Sequence, residues 1–303
     1  MNVVIAGGTG FIGSFVASRL SQEGIAVTVL TRRVKADSLP QEGGVRYVGW
    51  DGMSIDGWSR VIDGADCVVN LAGELVGSNR WTAARKRRIL SSRLEPTSAI
   101  VQVISAARQK PSVLVSMSAV GYYGAVEEGV ATEVHARGAG FLADVCEVWE
   151  RKAQMAEGSG VRVVILRSGV VLGKEGGALP RMVLPFRFFA GGVVGSGQQC
   201  LPWVHPLDLV EVILFAVANP AIKGAVNVVA PQIVTMREFA AAIGEVLRRS
   251  VWAPVPEWVL RLVFGEMAEM VLTGQRVVPE VLQQAGFMFR YPDLRSALQD
   301  ILQ

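Results

Sequence analysis

The sequence predicts an α/β fold: a doubly wound parallel sheet with a smaller, mainly helical carboxy-terminal lobe. Short β-branched runs alternate with helical patterns through the first two-thirds of the chain, which implies right-handed crossovers between parallel strands. The first run, Val3-Val4-Ile5, enters a glycine turn that opens an amphipathic helix. From Pro231 the pattern becomes helical, punctuated by Pro254, Pro256, Pro279 and Pro292.

Strands are expected at 2–6, 26–31, 45–49, 66–71, 112–117 and 161–167, and helices at 11–23, 57–63, 81–108 and 140–158. Gly173 to Gly197 surrounds an apolar stretch, Met182 to Phe189, that reads as a loop and helix over a cleft. The late helices are expected at 236–248, 257–264, 280–284 and 294–302. These divide the chain into a nucleotide-binding domain at 1–170, to which a strand and helix at about 204–230 return. Residues 171–203 and 231–303 form the smaller substrate lobe.

Composition narrows the function classes. Half of the 303 residues are hydrophobic and the net charge is +3, so neither disorder nor a nucleic-acid or membrane partner is expected. The basic run Arg85-Lys86-Arg87-Arg88 lies in an expected helix and reads as a solvated face. Cys67, Cys146 and Cys200 match no paired or zinc spacing, and with His135 and His205 the only histidines no metal site is expected. The first strand starts at the amino terminus, so no targeting peptide is expected; with the unpaired cysteines this points to the cytoplasm. A monomer or homodimer acting on a small molecule fits these bounds.

In doubly wound sheets the ligand lies beyond the carboxyl ends of the strands. The first such end carries Gly7, Gly8, Thr9, Gly10, Phe11, Ile12 and Gly13, which overlays G-x-G-x-x-G on G-x-x-G-x-x-G. Between a strand and a helix, this motif is a Rossmann dinucleotide fingerprint: its glycines admit a pyrophosphate to backbone N–H groups at a helix N-terminus. After the second strand come Thr31, Arg32 and Arg33, where an NAD-selective site would carry a carboxylate. Guanidinium groups there favour the 2′-phosphate of NADP. Further cofactor contacts are expected from Asp51, from Leu71, Ala72, Gly73 and Glu74, from Ser116 and Met117, and from Ser168, Gly169 and Val170.

Landmarks along the chain refine this: Asn70-Leu71-Ala72-Gly73-Glu74, Arg80-Trp81, Ser92-Arg93, Gly121-Tyr122-Tyr123-Gly124, Arg167 to Gly173, Trp203 to Asp208, Gly274-Gln275-Arg276 and Gly286 to Phe289. In order and coverage the chain resembles an atypical extended short-chain dehydrogenase/reductase, of the nucleoside-diphosphate-sugar epimerase-like "epimerase family" with its own carboxy-terminal extension. That resemblance implies an NADP-binding Rossmann fold and a carbonyl or sugar-like substrate. It also implies a catalytic Ser, for which Ser118 stands at the expected position, and a Tyr-x-x-x-Lys pair.

The pair is missing. Registering Trp149-Glu150 on the Ala-Glu that follows the motif puts Leu142 at the Tyr position and Cys146 at the Lys position. No tyrosine has a lysine four residues on. Tyr122 or Tyr123 could serve as proton donor, and Arg93, at the position of the superfamily's Asn, could replace the lysine charge or anchor an anionic substrate. Glu74, Trp81, Trp203, His205 and Arg276 are lesser candidates, and Cys146 lacks an evident activating base. Two functions compete: an NADP-dependent oxidoreductase or epimerase-like enzyme, and a non-catalytic NADP-binding sensor or scaffold.

Overall fold

The computed structural model describes residues 1–32 and 44–303. The strands are β1 (Asn2–Ala6), β2 (Ala26–Thr31), β3 (Val45–Gly49), β4 (Cys67–Asn70), β5 (Val113–Ala119), β6 (Val126–Ala131), β7 (Arg162–Ser168), β8 (Val170–Val171), β9 (Trp203–Val204), β10 (Gly224–Val228) and β11 (Gln275–Val277). The helices are α1 (Phe11–Gln22), α2 (Ala83–Ala106), α3 (Phe141–Gln154), α4 (Leu179–Arg187) and α5 (Pro206–Ala218), then α6 (Met236–Leu247), α7 (Glu257–Phe264), α8 (Glu269–Leu272), α9 (Glu280–Gln284) and α10 (Leu294–Leu302).

Seven strands pair in parallel in the order β3-β2-β1-β4-β5-β7-β10. The order reverses between β1 and β4, which places a crevice at their carboxyl ends. Side chains alternate across the sheet as a period of two requires. Val3 and Ile5 pack towards α1 and α5, whereas Val4 and Ala6 pack with Trp58, Ile100 and Ile104 on the opposite face. Both faces are covered, so the strands are continuous hydrophobic runs.

A further core joins residues before and after the last crossover: Leu172, Val183 and Phe186 meet Trp203, Phe239, Ile243, Leu294 and Leu298. Two small sheets, β8 with β9 and β6 with β11, tie this lobe to the main sheet. The strand β6 does not stand out in the sequence because Val126-Glu127-Glu128-Gly129-Val130 carries charge and glycine; its pairing with the distant β11 makes it a strand. The helix expected at 57–63 is only a 3-10 turn at Ser59–Val61, closed by the Val61 and Ile62 amides on the carbonyls three residues before them and bounded by left-handed Gly57 and Gly64. The helix expected to reach residue 158 leaves α geometry after Gln154 and closes in a 3-10 turn ending at left-handed Gly160. Among the described residues no helix is long and apolar enough to cross a membrane.

Candidate functional site

The glycine turn has the shape a pyrophosphate needs. Gly7 adopts φ +77°, and a Cβ there would lie 2.8 Å from the Leu71 backbone at the sheet's switch point. A Cβ on Gly13 would meet the Gly7 carbonyl oxygen at 2.3 Å, so only glycine lets α1 approach the turn so closely. The helix starts at Gly10 with no side-chain cap and no acidic residue in its first turn. Its first amides are therefore open to phosphate oxygens. Thr9 and Gly10 are exposed, while Phe11 and Ile12 are half-buried at the rim.

The neighbouring strand ends build the rest of the crevice. Thr31 is buried, Arg32 is exposed at its mouth, and Arg33 lies outside the described residues. Asp51 is committed locally: its Oδ1 accepts from the amides of Met53 and Ser54, which hold its carboxyl below the usual range. Beyond β4, the Asn70 side chain binds the Ala72 amide and donates to Thr97 Oγ1 at 2.8 Å, which the Trp149 indole also reaches. Thr97 thus pins the Leu71–Glu74 segment to α2 and α3. Ser116 is fully buried within β5, Met117 and Ser168 nearly so, and Gly169 and Val170 are half-buried beside them. A Cβ on Gly169 would strike the Pro202 backbone.

Arg93 lies along the crevice. It donates to the carbonyls of Ile89 (2.9 Å) and Glu74 (3.1 Å), passes over Trp149, and sits against Gly73, where a Cβ would come within 3.3 Å of its Cζ. Burial lowers its pKa. Cys146, at the superfamily's lysine position, is fully buried; burial pushes its thiol up to about 11, while the nearby Arg93 charge pulls the other way. Burial thus disfavours the thiolate, the nucleophilic form. Leu142, at the tyrosine position, packs against Gly121, where a Cβ would lie 3.2 Å from the leucine.

The two tyrosines separate. Tyr123 is buried and its hydroxyl donates to Asn227 Oδ1 at 2.7 Å while accepting from Arg167 at 3.0 Å. Burial raises its pKa. The Tyr122 ring is half-buried and lies face-on to the Arg167 guanidinium at 3.5 Å. Ser118 is buried and donates to Glu150 at 2.6 Å; Glu150 in turn receives two bonds from Arg167, at 3.0 and 2.8 Å. Glu150 holds Arg167 in its charged form, raising its pKa despite burial. Glu133, its pKa raised by burial, extends the network through the amides of Asn227 and Val281.

Glu150, Arg167, Asn227 and Glu133 form a network that no local pattern announces, because α3, β7, β10 and the turn after β6 supply one residue each. Its only sequence signal is a polar residue inside an otherwise apolar strand, as with Arg167 and Asn227. The lesser candidates scatter. Glu74 pairs with buried Arg85, Trp203 is a core residue, Arg276 is exposed, and Trp81 packs edge-on against Phe141. His205 caps α5 by accepting from the Leu207 amide, stacked on Tyr291. Among the described residues no cluster could hold a metal ion.

Comparison with known proteins places this geometry. The profile of the NAD dependent epimerase/dehydratase family matches residues 3–229, and that of a domain of unknown function, DUF1731, matches residues 255–301. An Arabidopsis thaliana protein, "Epimerase family protein SDR39U1 homolog, chloroplastic", is 43% identical over all of this chain and 87% of its own length. Epimerase family protein YfhF of Bacillus subtilis is 38% identical over 100% of this chain and 98% of its own. The crystal structure of human epimerase family protein SDR39U1 with NADPH superposes with a TM-score of 0.89 at 34% identity, covering 99% of each chain. A Thermus thermophilus UDP-glucose 4-epimerase complex with NAD, 21% identical with a TM-score of 0.77 and covering 99% of this chain and 97% of its own, shares the fold. The chain belongs to the NAD-dependent epimerase/dehydratase family, built on a Rossmann-type nicotinamide-dinucleotide-binding fold with a DUF1731 domain at its carboxy terminus.

Proposed function

We propose that the protein is an NADP(H)-dependent oxidoreductase or epimerase-like enzyme acting on a carbonyl or sugar-like small molecule, in which Arg93 takes over the task of the absent lysine. The observation that carries this reading is the position of the Arg93 guanidinium. It lies against Gly73, in the loop that follows β4, and interacts electrostatically with Cys146, where the lysine would stand. An arginine keeps its charge when buried and retains N–H donors beyond the two it spends on carbonyls. In this reading those donors hold the cofactor ribose. Gly7 to Gly13 hold the pyrophosphate, and Arg32 pairs with the 2′-phosphate. NADPH, when bound, supplies the hydride.

Of the two tyrosines, Tyr122 is assigned as the proton donor. Tyr123 already spends its hydroxyl in the buried network, whereas Tyr122 is half-buried and held by its face on Arg167. Ser118 keeps an oxygen lone pair for a substrate hydroxyl while its proton is given to Glu150. The human relative solved with NADPH supports the cofactor choice.

Leu142 against Gly121 favours a second reading: the face where the superfamily's tyrosine acts is apolar, as in a protein that binds NADP(H) without turning it over. Titration of NADPH and NADH by fluorescence, followed by incubation with a panel of carbonyl compounds, separates the two. Tighter NADPH binding with cofactor oxidation supports the enzyme. Tight binding without oxidation on any carbonyl supports the second reading, and equal affinity for the two cofactors overturns the role of Arg32.

A further inference from the structure

The carboxy-terminal lobe presents an aromatic surface that neither the cofactor crevice nor the core uses. Phe188 and Phe189, just past α4, are 74% and 64% exposed, and Trp252, beyond α6, is 68% exposed. These side chains are held out rather than left loose. The Trp252 indole donates to the Phe189 carbonyl at 2.8 Å, and the amides of Trp252 and Ala253 both reach the Gly191 carbonyl. Phe189 and Arg248 are the two non-glycine residues with positive φ among the described residues, at 59° and 54°. Both are left-handed residues that terminate a helix, Phe189 after α4 and Arg248 after α6, each closed by the paired backbone bonds of a Schellman motif.

The same loops gather charge of one sign. Arg187 and Arg248 are exposed, and Arg249 lies over the Phe189 ring at 4.2 Å. Elsewhere on the surface Arg19, Arg137, Arg151, Arg261 and Arg295 pair with a carboxylate, while others such as Arg87, Arg88 and Arg237 do not. Among the described residues, Arg187, Arg248 and Arg249 have no carboxylate partner, and nearby Glu245 is occupied by Arg295. The overall charge of +3 predicts no membrane partner, but a whole-chain sum cannot register three arginines collected around exposed rings.

Rings that bury an apolar body, beside cations that seek phosphate, match the headgroup layer of an anionic bilayer. We propose that this end of the lobe is a peripheral membrane contact. Phe188, Phe189 and Trp252 enter the headgroup region while Arg187, Arg248 and Arg249 pair with lipid phosphates.

The test is co-sedimentation of the full chain with phosphatidylglycerol/phosphatidylcholine vesicles and with pure phosphatidylcholine vesicles. The proposal expects binding to the anionic vesicles, with a blue shift of tryptophan emission, and release as salt shortens the screening length. Arg187→Gln with Arg249→Gln, which leaves the apolar packing in place, should weaken partitioning on the order of tenfold. Phe188→Ser with Phe189→Gly should abolish it while thermal melting stays cooperative; glycine at 189 also relieves the positive φ. Absence of binding to anionic vesicles overturns the proposal, as does binding that both variants retain. So does a wild-type dimer, seen by sedimentation equilibrium, that the aromatic variant dissociates, because the face would then be a contact between copies of this chain.

Discussion

Replacing Glu150 by Gln tests the buried network directly, because it keeps the side chain's shape and removes its charge. Glu150 is 5% exposed and accepts three bonds, one from Ser118 and two from Arg167, itself 5% exposed. Glutamine offers one acceptor oxygen and turns an NH2 group towards donors, so at least one bond is lost and the Arg167 charge stays buried without a counter-ion. Breaking a buried pair from one side costs about 3–5 kcal/mol. With roughly 2.1 cal/mol/K of unfolding entropy per residue, a chain of 303 residues should lose about 5–8 °C in Tm. Differential scanning calorimetry of Glu150→Gln reads this shift. Adding Arg167→Met removes the stranded charge and should recover much of the loss, giving a clear coupling in a double-mutant cycle. A single-variant shift below about 1 °C, or additive losses in the double variant, would refute the account of a desolvated pair.

Arg32→Glu should weaken NADPH binding at least tenfold and leave NADH within about threefold, read by cofactor fluorescence; a matching loss for both signals misfolding instead. Tyr122→Phe should lower cofactor oxidation at least tenfold with little change in Tm. Tyr123→Phe should act chiefly on Tm, because it removes bonds to Arg167 and Asn227 inside the protein. The opposite pattern in steady-state assays and melts would exchange the tyrosines' roles. His205 titrates at about 4, lowered by burial, and its Nδ1 must stay deprotonated to accept from the Leu207 amide. Because the folded value lies below the unfolded one, its contribution is complete above pH ~6.5 and is lost as pH falls towards 4. Asp300, 3.3 Å from Nε2, offsets part of the burial effect, and the net lowering corresponds to a loss of about 3 kcal/mol across that window. Tm measured against pH should flatten there in His205→Asn, and parallel curves would exclude the histidine.

Local pattern was a reliable guide wherever the physics is local. The strand-turn-helix at Val3 to Gln22 is legible because β-branched runs, glycine spacing and helical periodicity all act within a few residues. The strand β6 is not, because its partner β11 lies far along the chain.

The sequence alone determined the fold class, the glycine turn between β1 and α1 and the absence of the Tyr-Lys pair, since each depends on residue type at a fixed spacing. Tertiary structure decided what that absence means. It put Arg93 beside Cys146, sealed Gly121 under Leu142, and drew Tyr123 and Ser118 into a network with Arg167 and Glu150. Those relations join elements tens of residues apart, and a buried charge finds its counter-ion only when the chain closes around both.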